Sequence, residues 1–290
     1  QRDLDKEMAL AFLWTGSRRE SAGLDMLKKA RIPVFYTPNR LATGIRSLLD
    51  YHIWLGRRGQ AGFPAILSIT TEQQIVANKL AVKGGVALSE YQSKHLLAEW
   101  GVPVTTETLV QTADAAVEAG NEIGYPVVLK ADVTGMSHKT EAGLVKLGLD
   151  DEAAVRAAYD EVTSNAANAG AGMNGVLVQE MVADAVEVIV GVSYDSQLGA
   201  TILFGSGGVM VEVYNDVSLR LCPIDESDAL EMIAEVKGAR LLEGFRGQPA
   251  ADIAALADTL VRVSQLGAQL EGSLAEDRKS TRLNSSHVLI

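Results

Sequence analysis

The chain has 290 residues, which is more than one average domain and less than two large ones, so we expect it to divide into two parts. With 47% hydrophobic and 22% charged residues and no long apolar run, the composition is typical of a soluble globular protein and excludes a disordered or membrane-spanning one. The net charge of −11 argues against nucleic acid or an anionic membrane as a partner, because the long-range field would repel phosphate. A single cysteine, Cys222, excludes an internal disulfide framework and favours a cytoplasmic location.

The first part of the chain, residues 1–57, alternates strand and helix patterns. The apolar runs Met8–Trp14 and Ile32–Tyr36 predict two strands, with a helix at Glu20–Ala30 between them. Thr37 before Pro38 predicts the start of another helix. This alternation is typical of βαβ units on a parallel sheet, so this part is predicted to be the end of an α/β domain.

The chain starts at Gln1 without a methionine or a leader, so we expect a fragment of a longer protein. Residues 58–86 contain several glycines and a proline and are the predicted linker. Residues 277–290 are polar and basic and have no helical periodicity, so we predict a non-native tail there.

The second part, residues 87–276, opens with a well-marked helix. Ser89 and Gln92 have the spacing of a capping box, and Gly101 ends the helix. Further patterns predict, in chain order, a strand at Pro103–Thr106, a helix at Thr112–Gly124, strands at Tyr125–Ala131 and Leu144–Leu149, a helix capped by Asp150 or Asp151, strand-like runs at Gly175–Val182, Val186–Tyr194, Ala200–Gly205 and Val217–Ile224, and a helix at Pro249–Gln269. The four consecutive runs predict an antiparallel-rich sheet.

Lys130 is the first charged residue after the apolar run Val127–Leu129, and a polar loop, Asp132–Gly143, follows it. A lysine at a strand end beside a flexible loop can bind a polyphosphate, and the alternative is a solvated lysine. His138 lies in the same loop, where its imidazole could act as a nucleophile and carry a phosphoryl group. The alternative for His138 is a hydrated loop side chain.

Several later residues are candidate contacts for a nucleotide and its metal. The strand exit formed by Gln179, Glu180, Met181 and Val182 could line an adenine slot, and Glu187 could reach a ribose hydroxyl. Glycines between strands would let backbone N–H groups approach an anion; they are Gly205, Gly207 and Gly208. Glu212 and Asp216 follow and could hold Mg²⁺, which prefers carboxylate oxygens. The alternatives are a plain strand exit, an ordinary turn and solvated acids.

The order of these motifs is more specific than any one of them. In order, the segments Tyr125–Lys130, Ser137–Gly143, Val178–Met181, Phe204–Gly208 and Leu241–Gly247 closely resemble the ATP-grasp half of the NDP-forming acyl-CoA synthetases, which include ADP-forming acetate–CoA ligase. The resemblance covers about Ala87 to Glu276. It implies an α/β fold, with an ATP-grasp domain preceded by a partial flavodoxin-like segment similar to that of succinyl-CoA synthetase.

The resemblance implies a reaction in which a carboxylic acid, CoA and ATP give acyl-CoA, ADP and phosphate through an acyl phosphate and a phosphohistidine. It implies that Lys130 contacts phosphate, that Gln179–Val182 is the adenine segment and that His138 receives the phosphoryl group. Glu212 is a weaker match to a metal ligand. ATP would be the substrate and Mg²⁺ the cofactor.

The implied partners are CoA, a small carboxylic acid and the CoA-binding and ligase domains of the same polypeptide, and a homo-oligomer is compatible with them. The closing strand of the family, with its acidic residue and Asn-Pro pair, has no match before Glu276, so complete turnover by this chain is not expected.

Two alternatives come from other functional classes. One is a ligase-like regulatory module of a protein acetyltransferase, which a fused acetyltransferase domain would identify. The other is a non-catalytic nucleotide-binding domain, which an absence of labelling at His138 would favour. The sequence does not distinguish the acid that would be activated or ATP from GTP.

Overall fold

The computed structural model describes residues 11–15, 21–81, 88–133, 142–170, 172–183, 185–195, 197–207, 216–244, 249–270 and 288–289. The chain forms two compact units, Gln1–Phe63 and Pro64–Ile290. None of the helices in these ranges combines the length and the apolar character that a membrane crossing requires.

The first unit contains, in chain order, β1 (Phe12–Leu13), α1 (Ala22–Lys29), β2 (Val34–Phe35) and α2 (Pro38–Ala61). β1 and β2 pair in parallel, as the βαβ pattern predicts. The Ser21 hydroxyl accepts a hydrogen bond from the backbone N–H of Leu24, and the Thr37 hydroxyl accepts one from Arg40. The predicted helix start at Thr37 is therefore confirmed.

The second unit begins with two helices, α3 (Thr71–Ala81) and α4 (Glu90–Glu99). α3 lies inside the segment predicted as a linker, and its Ala77 is buried in a hydrophobic core. At α4 the Ser89 hydroxyl accepts a hydrogen bond from the backbone N–H of Gln92, and the Ser89 backbone N–H donates to the Gln92 side chain. The predicted capping box is confirmed, and the chain leaves the helix through Gly101, whose φ is 73°.

The remaining elements form two four-stranded antiparallel sheets and the helices that cover them. They are β3 (Glu107–Val110), α5 (Ala113–Ile123), β4 (Val127–Val133), β5 (Val145–Leu149), α6 (Glu152–Asn168), β6 (Met173–Glu180), β7 (Glu187–Asp195), β8 (Gly199–Ser206), β9 (Val217–Leu221), α7 (Glu226–Glu235), α8 (Ala239–Leu242), α9 (Ile253–Gln269) and β10 (Val288–Leu289). The first sheet has the order β3-β6-β4-β5 and the second has the order β10-β7-β8-β9. β10 lies in the predicted tail and pairs with β7 at Val188 and Glu187.

The prediction of one sheet from four consecutive strand runs was wrong in its grouping. β6 pairs along seven residues with β4 and along four with β3, so it lies in the centre of the first sheet, while β7, β8 and β9 build the second. Local patterning identifies a strand but does not identify its partner, because pairing depends on residues far away in the chain.

The strand predicted at Pro103–Thr106 was displaced by four residues. Pro103 has no backbone N–H for a ladder, and regular pairing starts near Thr106, whose carbonyl accepts a hydrogen bond from the N–H of Glu180. The observed strand is therefore β3.

Each sheet has its own hydrophobic core on one face. α5 and α6 cover the first sheet, and the residues buried there include Val127, Leu129, Val155 and Val176. α4, α7 and α9 contribute to the core of the second sheet, which includes Val190, Phe204, Met232 and Leu260. Fully buried aliphatic side chains of this size each stabilise the fold by about 1.5–3 kcal/mol. The other faces are left for polar groups.

Candidate nucleotide site

Lys130 and Gln179 lie on neighbouring strands of the first sheet and share one face. Gln179 of β6 is opposite Val128 of β4, and Lys130 is two residues further along β4. Side chains two residues apart on a strand point to the same side, so the two predicted contacts project from the face opposite α5 and α6. The structure thus brings together two residues that are 49 positions apart in the chain, from 130 to 179.

Side chains of α4 meet this face and form a cluster of four charges. The Nζ atom of Lys130 lies 3.0 Å from Oε1 of Glu90, and Nζ of Lys94 lies 3.2 Å from the same oxygen. Nζ of Lys94 is also 2.6 Å from Oε2 of Glu107. The cluster holds two cations and two anions, so it is neutral as a whole.

Lys94 and Glu107 are the buried half of this cluster. Their side chains are 9% and 6% exposed, whereas those of Lys130 and Glu90 are 23% and 22% exposed. Burial raises the pKa of Glu107 above its ordinary value, although the hydrogen bond and charge of Lys94 oppose this effect. A carboxylate at this depth depends on Lys94 for its charge compensation.

Asp132 fixes the start of α4 against the same strand. Its Oδ1 accepts a hydrogen bond of 3.4 Å from the backbone N–H of Tyr91, and its Oδ2 accepts one of 3.1 Å from Nδ2 of Asn174. The N–H groups of a first helical turn have no partner inside the helix, so a carboxylate supplied by another strand stabilises this end. Glu90 is thereby held beside Lys130.

The predicted adenine segment leaves the first sheet at its end. Nε2 of Gln179 donates a hydrogen bond of 2.8 Å to Oγ1 of Thr105, while its buried Oε1 atom has no hydrogen-bond partner among the described residues. Oε1 of Glu180 accepts a hydrogen bond from the backbone N–H of Thr106. Met181 and Val182, just beyond β6, are 39% and 40% exposed. Apolar side chains beside an unpaired polar atom are the composition of a small-molecule site.

The second sheet brings three other sequence motifs around one cavity. Its lining includes Glu187 at the start of β7, Ser206 and Gly207 at the end of β8, and Leu241 and Leu242 of α8. The cavity measures about 30 Å³, far below the roughly 300–1,000 Å³ of a typical ligand pocket. This cavity alone is therefore too small for a nucleotide.

The glycine motif has a different local geometry from the one predicted. The backbone N–H of Gly207 donates a hydrogen bond of 2.8 Å to the carbonyl of Glu187, so it continues the ladder and is not free for an anion. Gly205 lies within β8, opposite Ile189 and Val217. Neither glycine has a positive φ. A Cβ at Gly207 would lie 2.5 Å from the backbone of Glu187, so the glycine is needed for close approach of two strands.

Asp216 is an anchor for the turn before α8, and its expected role as a metal ligand is not supported. Its two carboxylate oxygens accept hydrogen bonds from the backbone N–H of Lys237 (2.8 Å), the N–H of Gly238 (2.9 Å) and the hydroxyl of Ser206 (2.9 Å). Burial acts to raise the pKa of Asp216, but these donors outweigh it and hold the pKa below its ordinary value.

Three predicted site residues, His138, Gly208 and Glu212, lie outside the described residues. Within the described ranges, no three His, Cys, Asp or Glu side chains are grouped so that they could hold a metal ion. The described donors therefore do not by themselves fit Mg²⁺.

The sequence analysis missed the polar partners of Lys130 and Gln179. Glu90 and Lys94 were treated only as part of a helix, although their spacing of four places them on one helix face. That spacing was the available signal. Nothing in the local sequence indicates that Thr105 and Glu107 join the same group.

Comparison with known proteins places this geometry in a family. Residues 79–272 match the ATP-grasp domain family. The β subunit of ADP-forming acetate–CoA ligase II from Pyrococcus furiosus is 37% identical over 203 residues, which is 69% of this chain and 86% of that subunit. ADP-forming acetate–CoA ligase I from Archaeoglobus fulgidus is 37% identical over 83% of this chain, but the match spans only 35% of that protein.

The structural neighbours are forms of acetyl-coenzyme A synthetase 1 from Ca. Korarchaeum cryptofilum. A form with coenzyme A and Ca-AMPCP has a TM-score of 0.65 and 40% identity, covering 68% of this chain and 87% of the other. A form with coenzyme A and Mg-AMPPCP has a TM-score of 0.58 and 40% identity, covering 67% and 85%, and its phosphohistidine segment points towards the nucleotide binding site. The chain therefore belongs to the ATP-grasp domain family and, within it, to the ADP-forming acetate–CoA ligases.

Proposed function

We propose that this chain binds ATP for an acid–thiol ligase that forms acyl-CoA, ADP and phosphate from a carboxylic acid, CoA and ATP. The observation that carries the proposal is the shared face of Lys130 and Gln179, which joins the predicted phosphate contact to the predicted adenine segment. The activity of the relatives supports the same reaction. CoA and the acid would be bound largely by other domains of the same enzyme.

Phosphoryl transfer depends mainly on positioning and on neutralising negative charge. Lys130 would contact a phosphate of ATP, and the exit Gln179–Val182 would hold the base between the apolar side chains of Met181 and Val182. Glu187 would reach the ribose, and Gly205, Gly207 and Gly208 would let the nucleotide approach the backbone closely. These roles follow from the positions of the side chains and the apolar exposure at the strand exit.

His138 is the proposed acceptor of the phosphoryl group. An imidazole nitrogen would attack the transferred phosphorus, ADP would leave, and the phosphoryl group would then pass to an acyl phosphate on the route to acyl-CoA. The phosphohistidine segment recorded in the Korarchaeum neighbour supports such a relay. When bound, Mg²⁺ would neutralise phosphate charge, with Glu212 as the proposed protein ligand.

The relay is tested by incubating the full chain with γ-labelled ATP and Mg²⁺ and measuring acid-labile, base-stable label. The wild type is expected to take up label and His138→Ala to lose it. His95→Ala, which removes an exposed imidazole on α4, is the matched control and should label normally. If the wild type binds ATP without label, or if His138→Ala labels as the wild type does, the relay at His138 is wrong.

A further inference from the structure

The contact between Lys130 and Glu90 gives Glu90 a role in nucleotide binding, and this inference rests on the proposed phosphate contact of Lys130. Oε1 of Glu90 lies 3.0 Å from Nζ of Lys130 and 3.2 Å from Nζ of Lys94. One carboxylate oxygen is thus shared by two ammonium groups. In this geometry Glu90 occupies one hydrogen-bonding direction of the cation that a phosphate would use.

The two ammonium groups differ in how firmly they are held. Lys94 donates to Thr105 at 3.1 Å and to Glu107 at 2.6 Å in addition to its contact with Glu90, and it is buried. Among the described residues, Glu90 is the acidic partner of Lys130, and both side chains remain partly exposed. Three acceptors fix Lys94 in place, whereas Lys130 can exchange its partner at low cost because solvent screens the pair.

We propose that Glu90 is an exchangeable counter-ion for Lys130. In the nucleotide-free chain it holds the ammonium group in the site, and when ATP binds, a phosphate oxygen takes this ammonium group. Lys94 remains beside Glu90 throughout, so the exchange leaves no carboxylate without a cation. Glu90 therefore keeps Lys130 oriented and competes with the polyphosphate for it.

The charge balance predicts the direction of the effect of removing Glu90. With Glu90 changed to glutamine, the pair Lys94 and Glu107 stays neutral, and Lys130 becomes an uncompensated positive charge. Attraction for a polyphosphate then rises, while a ligand without phosphate gains nothing. Glu90 also lies in the first turn of α4, where an acid favours the helix dipole, so a purely structural role is the competing explanation.

The test measures the affinity of the full chain for AMP-PNP, a non-hydrolysable ATP analogue, and for adenosine, by calorimetry at low salt. Glu90→Gln is expected to tighten AMP-PNP about fivefold, the equivalent of one strong exposed ion pair, and to leave adenosine unchanged. Lys130→Met should weaken AMP-PNP, and in that background Glu90→Gln should have no further effect. Glu99→Gln, which removes the same charge from the same helix, is the matched control.

Each outcome decides the matter. Weaker binding of both ligands by Glu90→Gln, or unchanged binding of AMP-PNP while Lys130→Met loses it, would overturn the counter-ion role and leave the proposed function standing. If Lys130→Met binds AMP-PNP as the wild type does, the phosphate contact is wrong, and the inference fails with it. Glu90→Ala, as a second variant, is expected to act in the same direction if Glu90→Gln does not fold.

Discussion

The two sheets of the second unit hold their partly or wholly buried carboxylates in different ways. On the first sheet, Glu90 accepts from the flexible ammonium groups of Lys94 and Lys130. On the second, Asp216 accepts from two backbone N–H groups and one hydroxyl, none of which can move without a change of the fold. Backbone donors suit a structural anchor, whereas side-chain donors at a partly exposed position suit an exchange with a ligand.

The buried half of the first cluster gives the largest expected effect. Lys94→Met removes the cation that compensates Glu107, and we expect a loss of about 3 kcal/mol in the free energy of unfolding. Adding Glu107→Gln should recover much of this loss, because the uncompensated charge is then gone. Urea denaturation of the two variants measures both values. Equal losses in the single and double variants would show that the two side chains do not interact.

The same pair predicts a dependence on pH. Because burial raises the pKa of Glu107 in the folded chain, its protonated form is favoured there, and its contribution to stability is lost as the pH rises through the folded pKa. Lys94→Met removes the group that opposes this shift. The deficit of the variant should therefore be small near pH 4 and should grow towards pH 7; a deficit that does not change over this range would contradict the prediction.

Asp216→Asn is expected to cost about 2 kcal/mol, since an amide NH₂ group would face backbone donors. The pKa of Asp216 is lowered by folding, so its contribution is present above its ordinary value of 3.8 and is lost as the pH falls through the folded pKa. The difference between variant and wild type should be full at pH 6 and should shrink below about pH 3.8. Asp195→Asn, which affects two backbone donors at an exposed turn, is a control with a smaller expected loss.

Glu90→Gln gives the smallest expected change in stability, below about 1 kcal/mol, because its ion pairs are partly solvated. Thermal unfolding of Glu90→Gln and Asp216→Asn in the same buffer compares the two carboxylates directly. The contrast between an exchangeable and a fixed carboxylate would be broken if Glu90→Gln were the less stable of the two.

Local signals in the sequence were sufficient for most individual elements. Ser89, Thr112 and Asp151 each mark a helix start that the structure confirms, since a capping hydrogen bond spans only three residues. The pairing of β6 with β3 and β4 could not be predicted in this way, because it joins segments separated by up to seventy residues in the chain.

The same limit applies to the candidate site. Lys130 and the strand exit at Gln179 were identified from their position after apolar runs, and the order of the motifs identified the family. Their partners Glu90 and Thr105 come from α4 and the segment before β3, and only the folded chain places them together. The free backbone amide expected at Gly207 failed for the same reason, since its acceptor is the carbonyl of Glu187 on another strand.

Hydrogen–deuterium exchange of the full chain with and without Mg²⁺ and AMP-PNP tests the location of the ATP site most directly. The account predicts that the nucleotide slows exchange in peptides from β4 around Lys130 and from the strand exit Gln179–Val182, while α5 and α6 on the opposite face are unaffected. Protection confined to α5 and α6, or bound nucleotide without protection at Lys130 and Gln179–Val182, would contradict it.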